Sequence, residues 1–165
     1  MPNKKHLFET LHHDYWTMVQ HICLGFMKGN TDLAQDLAQE TFINVWRSLG
    51  TFRKEAAYKT WIYRITVNTC LQYIRKEKKK VQVSIEQEQL ILQNDEEGTA
   101  QSYQELYQAI GLLKEVDRLI IMMVMDELEY SEIAQVMGMN EGTLRVRIHR
   151  IKKSLKKFLQ HERSV

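Results

Sequence analysis

The sequence predicts an all-α protein, two small helical domains joined by a flexible linker, and three observations predict it. Breakers are scarce: 165 residues hold one proline, Pro2, and seven glycines, which leaves long stretches free to be helical. Apolar residues recur at three- and four-residue steps through both halves, while the Val/Ile/Thr alternation of strands hardly occurs. Between the halves, Val81 to about Ala100 is acidic, glutamine-rich and without a clean period.

Each element follows from that pattern. Leu7, Leu11, Tyr15, Met18, Val19 and Ile22 predict one amphipathic helix over residues 6–27. Lys28-Gly29-Asn30 is a turn. Thr31 is a suitable N-cap for a helix to about Leu49, with Asp32 favourably placed for the helix dipole. That helix is expected to carry Leu33, Leu37, Phe42, Val45, Trp46 and Leu49 inward. After a loop at residues 50–56, a helix over residues 57–79 has Tyr58, Trp61, Ile62, Ile65, Thr69 and Ile74 on its apolar face. Its tail, Arg75 to Lys80, is basic. The second half restarts at Tyr103, with Leu106, Ile110, Leu113, Val116, Leu119, Ile120 and Met123 around a small core.

Charge is segregated rather than excessive. The net charge is +2. From Val81 to Leu106 there are six acids and no Lys or Arg, whereas Gly142 to His161 holds seven Lys/Arg and no acid. Such a distribution says more about partners than the total does. The two cysteines, Cys23 and Cys70, form no CxxC pair and sit in apolar-periodic segments, as buried thiols in a reducing cytosol would. The N-terminal stretch lacks an apolar core of signal-peptide length, and the longest apolar run, Leu119 to Met125, is too short to span a bilayer. A soluble cytoplasmic protein is expected.

The most informative passage runs from Tyr130 to Leu159. SEIAQVMG (131–138) predicts a short helix capped by Ser131, and Gly138 stands where a helix C-cap wants glycine. A longer helix follows. On it, Leu144, Ile148, Ile151, Leu155 and Phe158 form one stripe at about one hundred degrees per residue. Opposite lie Val146, His149, Arg150, Lys153 and Lys157, flanked by Arg145, Lys152 and Lys156. Arg147 lies beside the core stripe. Two helices joined by such a turn are the helix-turn-helix pattern, whose second helix enters the major groove. A cationic face suits phosphate contacts; a merely solvated basic face is the competing reading.

At these residues the sequence resembles region 4 of the extracytoplasmic-function (ECF) sigma factors. The family pattern YxEIAxxxGxxxGTVKxRxHRARxxL meets YSEIAQVMGMNEGTLRVRIHRIKKSL at 130–155, with Gly142-Thr143 and Arg147-x-His149-Arg150 matching. The first half resembles region 2. DLAQETFINVWR (36–47) is similar to the polymerase-binding helix, and FRKEAAYKTWIYRITVNTCLQYIR (52–75) to the promoter-melting segment. The resemblance covers about residues 6–80 and 103–160. The chain departs from it at Leu113-Lys114, where the family often has Leu-Pro, and at Asp126-Glu127-Leu128-Glu129-Tyr130, where it often has Glu-Gly-Leu-Ser-Tyr. Both changes extend helical character into a turn.

The resemblance implies region 2 over residues 1–80, a flexible acidic linker over 81–102 and region 4 over 103–165. It implies core RNA polymerase, double-stranded promoter DNA and the melted non-template strand as partners, and a membrane-linked anti-sigma factor that would hold the protein inactive by covering its polymerase surfaces. Neither a cofactor, a metal nor a catalytic residue is expected. Polymerase would dock on the outward residues Asp36, Gln39, Glu40, Asn44 and Arg47. The minus-ten element would meet Phe52, Arg53, Lys54, Lys59, Trp61, Arg64 and Asn68, with Trp61 mainly buried. There captured bases need aromatic surface and the backbone needs cations; stacking is worth about 1–3 kcal/mol per base, comparable to unstacking one step. The minus-thirty-five element would meet Thr143, Arg145, Val146, Arg147, His149, Arg150 and Lys153. Val146 replaces a commonly polar residue and could meet a thymine methyl, shifting the preferred promoter. The acidic linker would mimic nucleic acid in a basic channel.

Two other classes compete. A helix-turn-helix regulator acting without polymerase explains residues 130–158 but not the DLAQETF…W…TW…N pattern. A helical metal hydrolase would draw on His12, His13, His21 and Cys23, whose spacing lacks HExxH or paired CxxC logic, and no Walker loop, GxSxG or dinucleotide fingerprint is present.

Overall fold

The computed structural model describes residues 3–54, 57–83 and 101–163. Seven α-helices make up the described residues, with no strand among them. They are α1 (Lys4–Phe26), α2 (Thr31–Ser48), α3 (Tyr58–Val83), α4 (Gln101–Gly111), α5 (Glu115–Met125), α6 (Tyr130–Met137) and α7 (Glu141–Arg163), with one 3-10 turn, Leu49–Thr51, after α2. The proposed nucleic-acid mimicry of the linker falls mainly on residues outside the described ones.

The first three helices form one bundle. α1 and α2 pack as an antiparallel pair across the Lys28–Asn30 turn, and α3 lies on both. Lys28 and Gly29 take φ of 61° and 86°, which reverses the chain in two residues. Asn30, not Thr31, caps α2: its side-chain oxygen accepts from the Leu33 amide at 3.0 Å. Both residue types cap well, so composition alone cannot choose between neighbours. Similarly, α6 starts at Tyr130 after an extended Glu129, with no side-chain cap bond, which places Ser131 inside the helix rather than at its cap.

α4 to α7 form the second bundle, in which α7 carries Leu144, Ile148, Ile151 and Leu155 into the core with Phe158 packed at its edge. Gly138 ends α6 in the left-handed region (φ 66°), and the Met139 amide reaches the Ala134 carbonyl at 2.9 Å. The two departures from the family pattern leave the backbone breaks in place. Lys114 precedes α5 with φ −64°, the value proline locks. Glu127 takes φ 62° although it is not glycine. A left-handed L-residue costs about 1–2 kcal/mol, against about 0.5–1 kcal/mol of extra chain entropy for glycine. Glu127→Gly is therefore expected to raise Tm modestly, as thermal melting followed by circular dichroism would read.

The two bundles also pack on each other. Leu119, Ile120, Ile121, Met122 and Met123 are all buried. Five consecutive buried residues run right round a helix, so α5 needs cover on every side. α6 and α7 cover one side and α1 the other, while α3 meets α6. Gly25 permits the approach: a Cβ there would overlap the Met122 thioether. Beyond the apolar seam, Asp126 accepts from the His21 ring Nδ1 at 2.9 Å and from the Tyr63 hydroxyl at 3.1 Å. The hydrogen bond to Asp126 raises the His21 pKa from its ordinary value, against the lowering effect of burial. A raised imidazole pKa stabilises the fold fully below the unfolded value, about 6.5, and the contribution fades as pH climbs through the folded value. Tm is thus expected to fall as pH rises from about 6 to about 8, and His21→Gln should flatten that slope.

Candidate docking surface and nucleic-acid interface

The docking candidates sit on α2, and helical geometry sorts them. Taking Asp36 as zero at about one hundred degrees per residue, Arg47 and Glu40 fall within about forty degrees of it and Gln39 within about sixty. These four are exposed. Asn44 lies at one edge of the arc and turns toward α3: it is half-buried and donates to the Thr69 hydroxyl at 3.0 Å. Trp46 lies at the opposite edge and is not inward as expected, being 39% exposed. Its ring meets Phe8 edge-on at 5.3 Å, and the Lys4 ammonium stands 4.3 Å above it. The apolar stripe gives an angle, and at the edge of a stripe a large ring rests half on the neighbouring helix. Leu33 is likewise only half-buried.

Sequence reasoning missed Ile43. It falls between Gln39 and Arg47 at the centre of the exposed arc, and it is 45% exposed. An apolar side chain ringed by Asp36, Gln39, Glu40 and Arg47 has the composition of an interface anchor with a polar rim. The available signal was the same wheel, which puts Ile43 opposite the core stripe.

The minus-ten candidates gather at the start of α3. Phe52 stacks on Tyr58 (4.6 Å between centroids) and meets Trp61 at 4.7 Å. Trp61 is mostly covered within this aromatic trio and packs against the core. Arg53, Lys54, Lys59 and Asn68 are exposed around it. Arg64 instead reaches across to α6 and donates to the Gln135 carbonyl at 3.4 Å. The arrangement offers partly exposed ring surface beside free cations, which is the chemistry a splayed base and its backbone require.

The minus-thirty-five candidates line the outer face of α7. Asn140 caps the helix, accepting from the Gly142 amide at 2.8 Å. Thr143, Arg145, Val146, His149, Arg150 and Lys153 are exposed, Val146 to 54%. Two arginines are restrained. Arg145 pairs with Glu141 at 2.8 Å and lies over the Tyr130 ring. Arg147 is half-buried and donates to Asp117 at 2.6 Å, tying α7 to α5. An open groove of about 660 Å³ beside this face is lined by Lys114, Thr143, Val146, Arg147 and Arg150 among others.

The histidines and cysteines considered as metal ligands scatter. His12 stacks on Trp16, His13 is exposed beside Asp14, and His21 serves Asp126. Cys23 and Cys70 are buried and free, and burial pushes the Cys70 thiol up. Among the described residues no cluster of three or more His, Cys, Asp or Glu could hold a metal ion, and no helix is long and apolar enough to cross a membrane.

Comparison with known proteins places these surfaces in context. The family model for sigma-70 region 2 matches residues 11–80, and that for sigma-70 region 4 matches residues 103–155. The ECF RNA polymerase sigma factor SigW of Bacillus subtilis is 30% identical over 160 residues, covering 88% of this chain and 85% of SigW. The RNA polymerase sigma-H factor of Pseudomonas aeruginosa is 32% identical over 164 residues, covering 86% of this chain and 82% of that protein. Among solved structures, the sigma factor RpoE in complex with the anti-sigma factor NepR from Bartonella quintana aligns with a TM-score of 0.77 at 22% identity, over 93% of this chain and 96% of RpoE. CnrH in complex with the cytosolic domain of CnrY aligns with a TM-score of 0.67 at 20% identity, over 97% of this chain and 91% of that chain. At these identities the two structures bear on the fold.

Proposed function

Because the chain belongs to the ECF sigma factors of RNA polymerase, we propose that its exposed α2 arc and its α7 cation row are the two grips by which it joins core polymerase to a promoter. The chain binds core polymerase, directs it to specific promoters and promotes their opening. Residues 1–80 serve as region 2, 81–102 as the linker and 103–165 as region 4. Asp36, Gln39, Glu40 and Arg47, with Ile43 at their centre, dock on polymerase. The Phe52–Tyr58–Trp61 rings with Arg53, Lys54, Lys59 and Asn68 hold the melted strand. Thr143, Arg145, Val146, His149, Arg150 and Lys153 read or clamp the upstream element.

One observation carries this reading. A single chain presents an acid-rimmed apolar arc on one bundle and an exposed, acid-free cation row on the recognition helix of the other. A regulator working without polymerase would have no use for the first. An anti-sigma factor completes the partner set, as the structural neighbour RpoE is held in a complex with the anti-sigma factor NepR. We place the protein in the cytoplasm, with tethering at a membrane left to that partner. No residue is assigned a catalytic role. Run-off transcription with core polymerase on a genomic promoter library tests the proposal: added protein should create defined new start sites. Start sites indistinguishable from those of core polymerase alone would overturn it.

A further inference from the structure

The outer face of α7 has two flanks, and they differ in the charge they leave free. A recognition helix in the major groove lies between two sugar–phosphate backbones, so each flank faces one strand. One flank carries Arg145, Lys152 and Lys156, all exposed. The other runs through Thr143, Arg147, Arg150 and Ser154 and forms one wall of the open groove of about 660 Å³ beside α5. On that wall the Arg147 guanidinium is bound to Asp117, which leaves Arg150 as its one unpaired cation among the described residues.

We propose that Lys114, on the opposite wall, supplies the missing charge: its ammonium holds a phosphate of the minus-thirty-five duplex across the groove from Arg150. This rests on the promoter-reading role of α7 above. Lys114 is exposed, immediately precedes α5 and lines the same groove. Among the described residues its ammonium has no hydrogen-bond or ion-pair partner. Asp117 is the only carboxylate lining the groove, and Arg147 neutralises it at 2.6 Å. The groove is left with two free positive charges, Lys114 and Arg150, and no free negative one. A phosphodiester fits such a pair beside a base-reading face, because the backbone borders the groove that the helix fills and carries a negative charge at every step. Position 114 is where the resembling pattern often has proline. Proline would hold the same φ, −64° here, without a charge. Lysine thus keeps the turn and adds a contact from outside the recognition helix. As a point charge on a flexible stem, it fixes position without reading sequence.

Holoenzyme assembled with Lys114→Pro, which preserves the backbone, and with Lys114→Arg, which preserves the charge, tests the contact on a labelled promoter duplex. Lys114→Pro should weaken binding about three- to tenfold at about 0.15 M salt, equally for all minus-thirty-five sequences, and lower the slope of log affinity against log salt by about 0.9. Lys114→Arg should match the wild type in both. Duplexes in which single phosphates are replaced by uncharged methylphosphonates locate the partner. Wild type should lose affinity at several phosphates, and to one of these Lys114→Pro should be indifferent. A merely structural role for residue 114 would leave that pattern unchanged. An unaltered salt slope in Lys114→Pro, a loss limited to one base sequence, or a methylphosphonate profile identical to that of wild type would each overturn the contact. Arg150→Ala keeps the two readings apart. If it shifts base preference while Lys114→Pro changes nothing, α7 reads the promoter and only the phosphate contact fails. If the holoenzyme shows no promoter preference at all, both fail.

Discussion

Asp36→Lys with Glu40→Lys should abolish capture of core polymerase, raising Kd by about a hundredfold or more. The two carboxylates stand one turn apart on the exposed arc of α2, so they present a single acidic patch. Reversal puts like charges against whatever basic surface receives them, and like-charge juxtaposition costs several kcal/mol where each 1.4 kcal/mol is about tenfold. Ile43→Ala should act on the same surface by a different route, losing the apolar anchor while the charges stay. Its effect should persist at high salt, whereas that of the reversal should shrink as ionic strength screens it. Both side chains point to solvent, so Tm should hold. The readout is fluorescence anisotropy of labelled protein with core polymerase across a salt series. Equal salt dependence of the two variants would argue against a charged rim around an apolar centre.

How much of this was legible in the sequence depends on which residues are asked. The stripe Leu144, Ile148, Ile151, Leu155 reports an angle on one helix, and burial followed the angle. Gly138 was legible because a left-handed C-cap asks for glycine. Trp46 was misjudged because an angle does not say how far a neighbouring element reaches: α1 covers only one edge of it. Caps slipped by one residue where Asn30 and Thr31 stand side by side, and by two from Ser131 to Glu129.

The packing of the two bundles was beyond reach for a different reason. Asp126 meets residues 105 and 63 positions away, and no local period encodes such a meeting. The one available hint was the run Leu119 to Met125, apolar on all sides. An all-round apolar helix must be enclosed, and here α6 and α7 cover one side while α1 covers the other. The functional surfaces fared likewise. Residue type and wheel position marked the α7 row, but not which of its arginines already had a partner.

That last distinction yields the second large effect. Arg150→Ala should weaken binding to a cognate promoter by about 5- to 150-fold, the range of about 1–3 kcal/mol for a residue reaching base edges, and should relax preference at its own position. Lys153, one turn further from the helix start, should act on phosphate instead. Lys153→Ala should weaken all sequences alike and lower the slope of log affinity against log salt by about one. Arg147→Ala should do neither, because its guanidinium is spent on Asp117 at 2.6 Å. Its loss should appear as a lower Tm with the promoter ranking intact. Val146→Thr tests the remaining candidate: if its branched side chain meets a thymine methyl, the swap keeps the shape yet adds a hydroxyl, and the ranking of bases at that one position should change. Binding selections on randomised promoter fragments, run for the four variants at two salt concentrations, separate these outcomes. Should Arg147→Ala alone reorder the preferred sequence, the exposed row would be the wrong face and the groove beside α5 the right one.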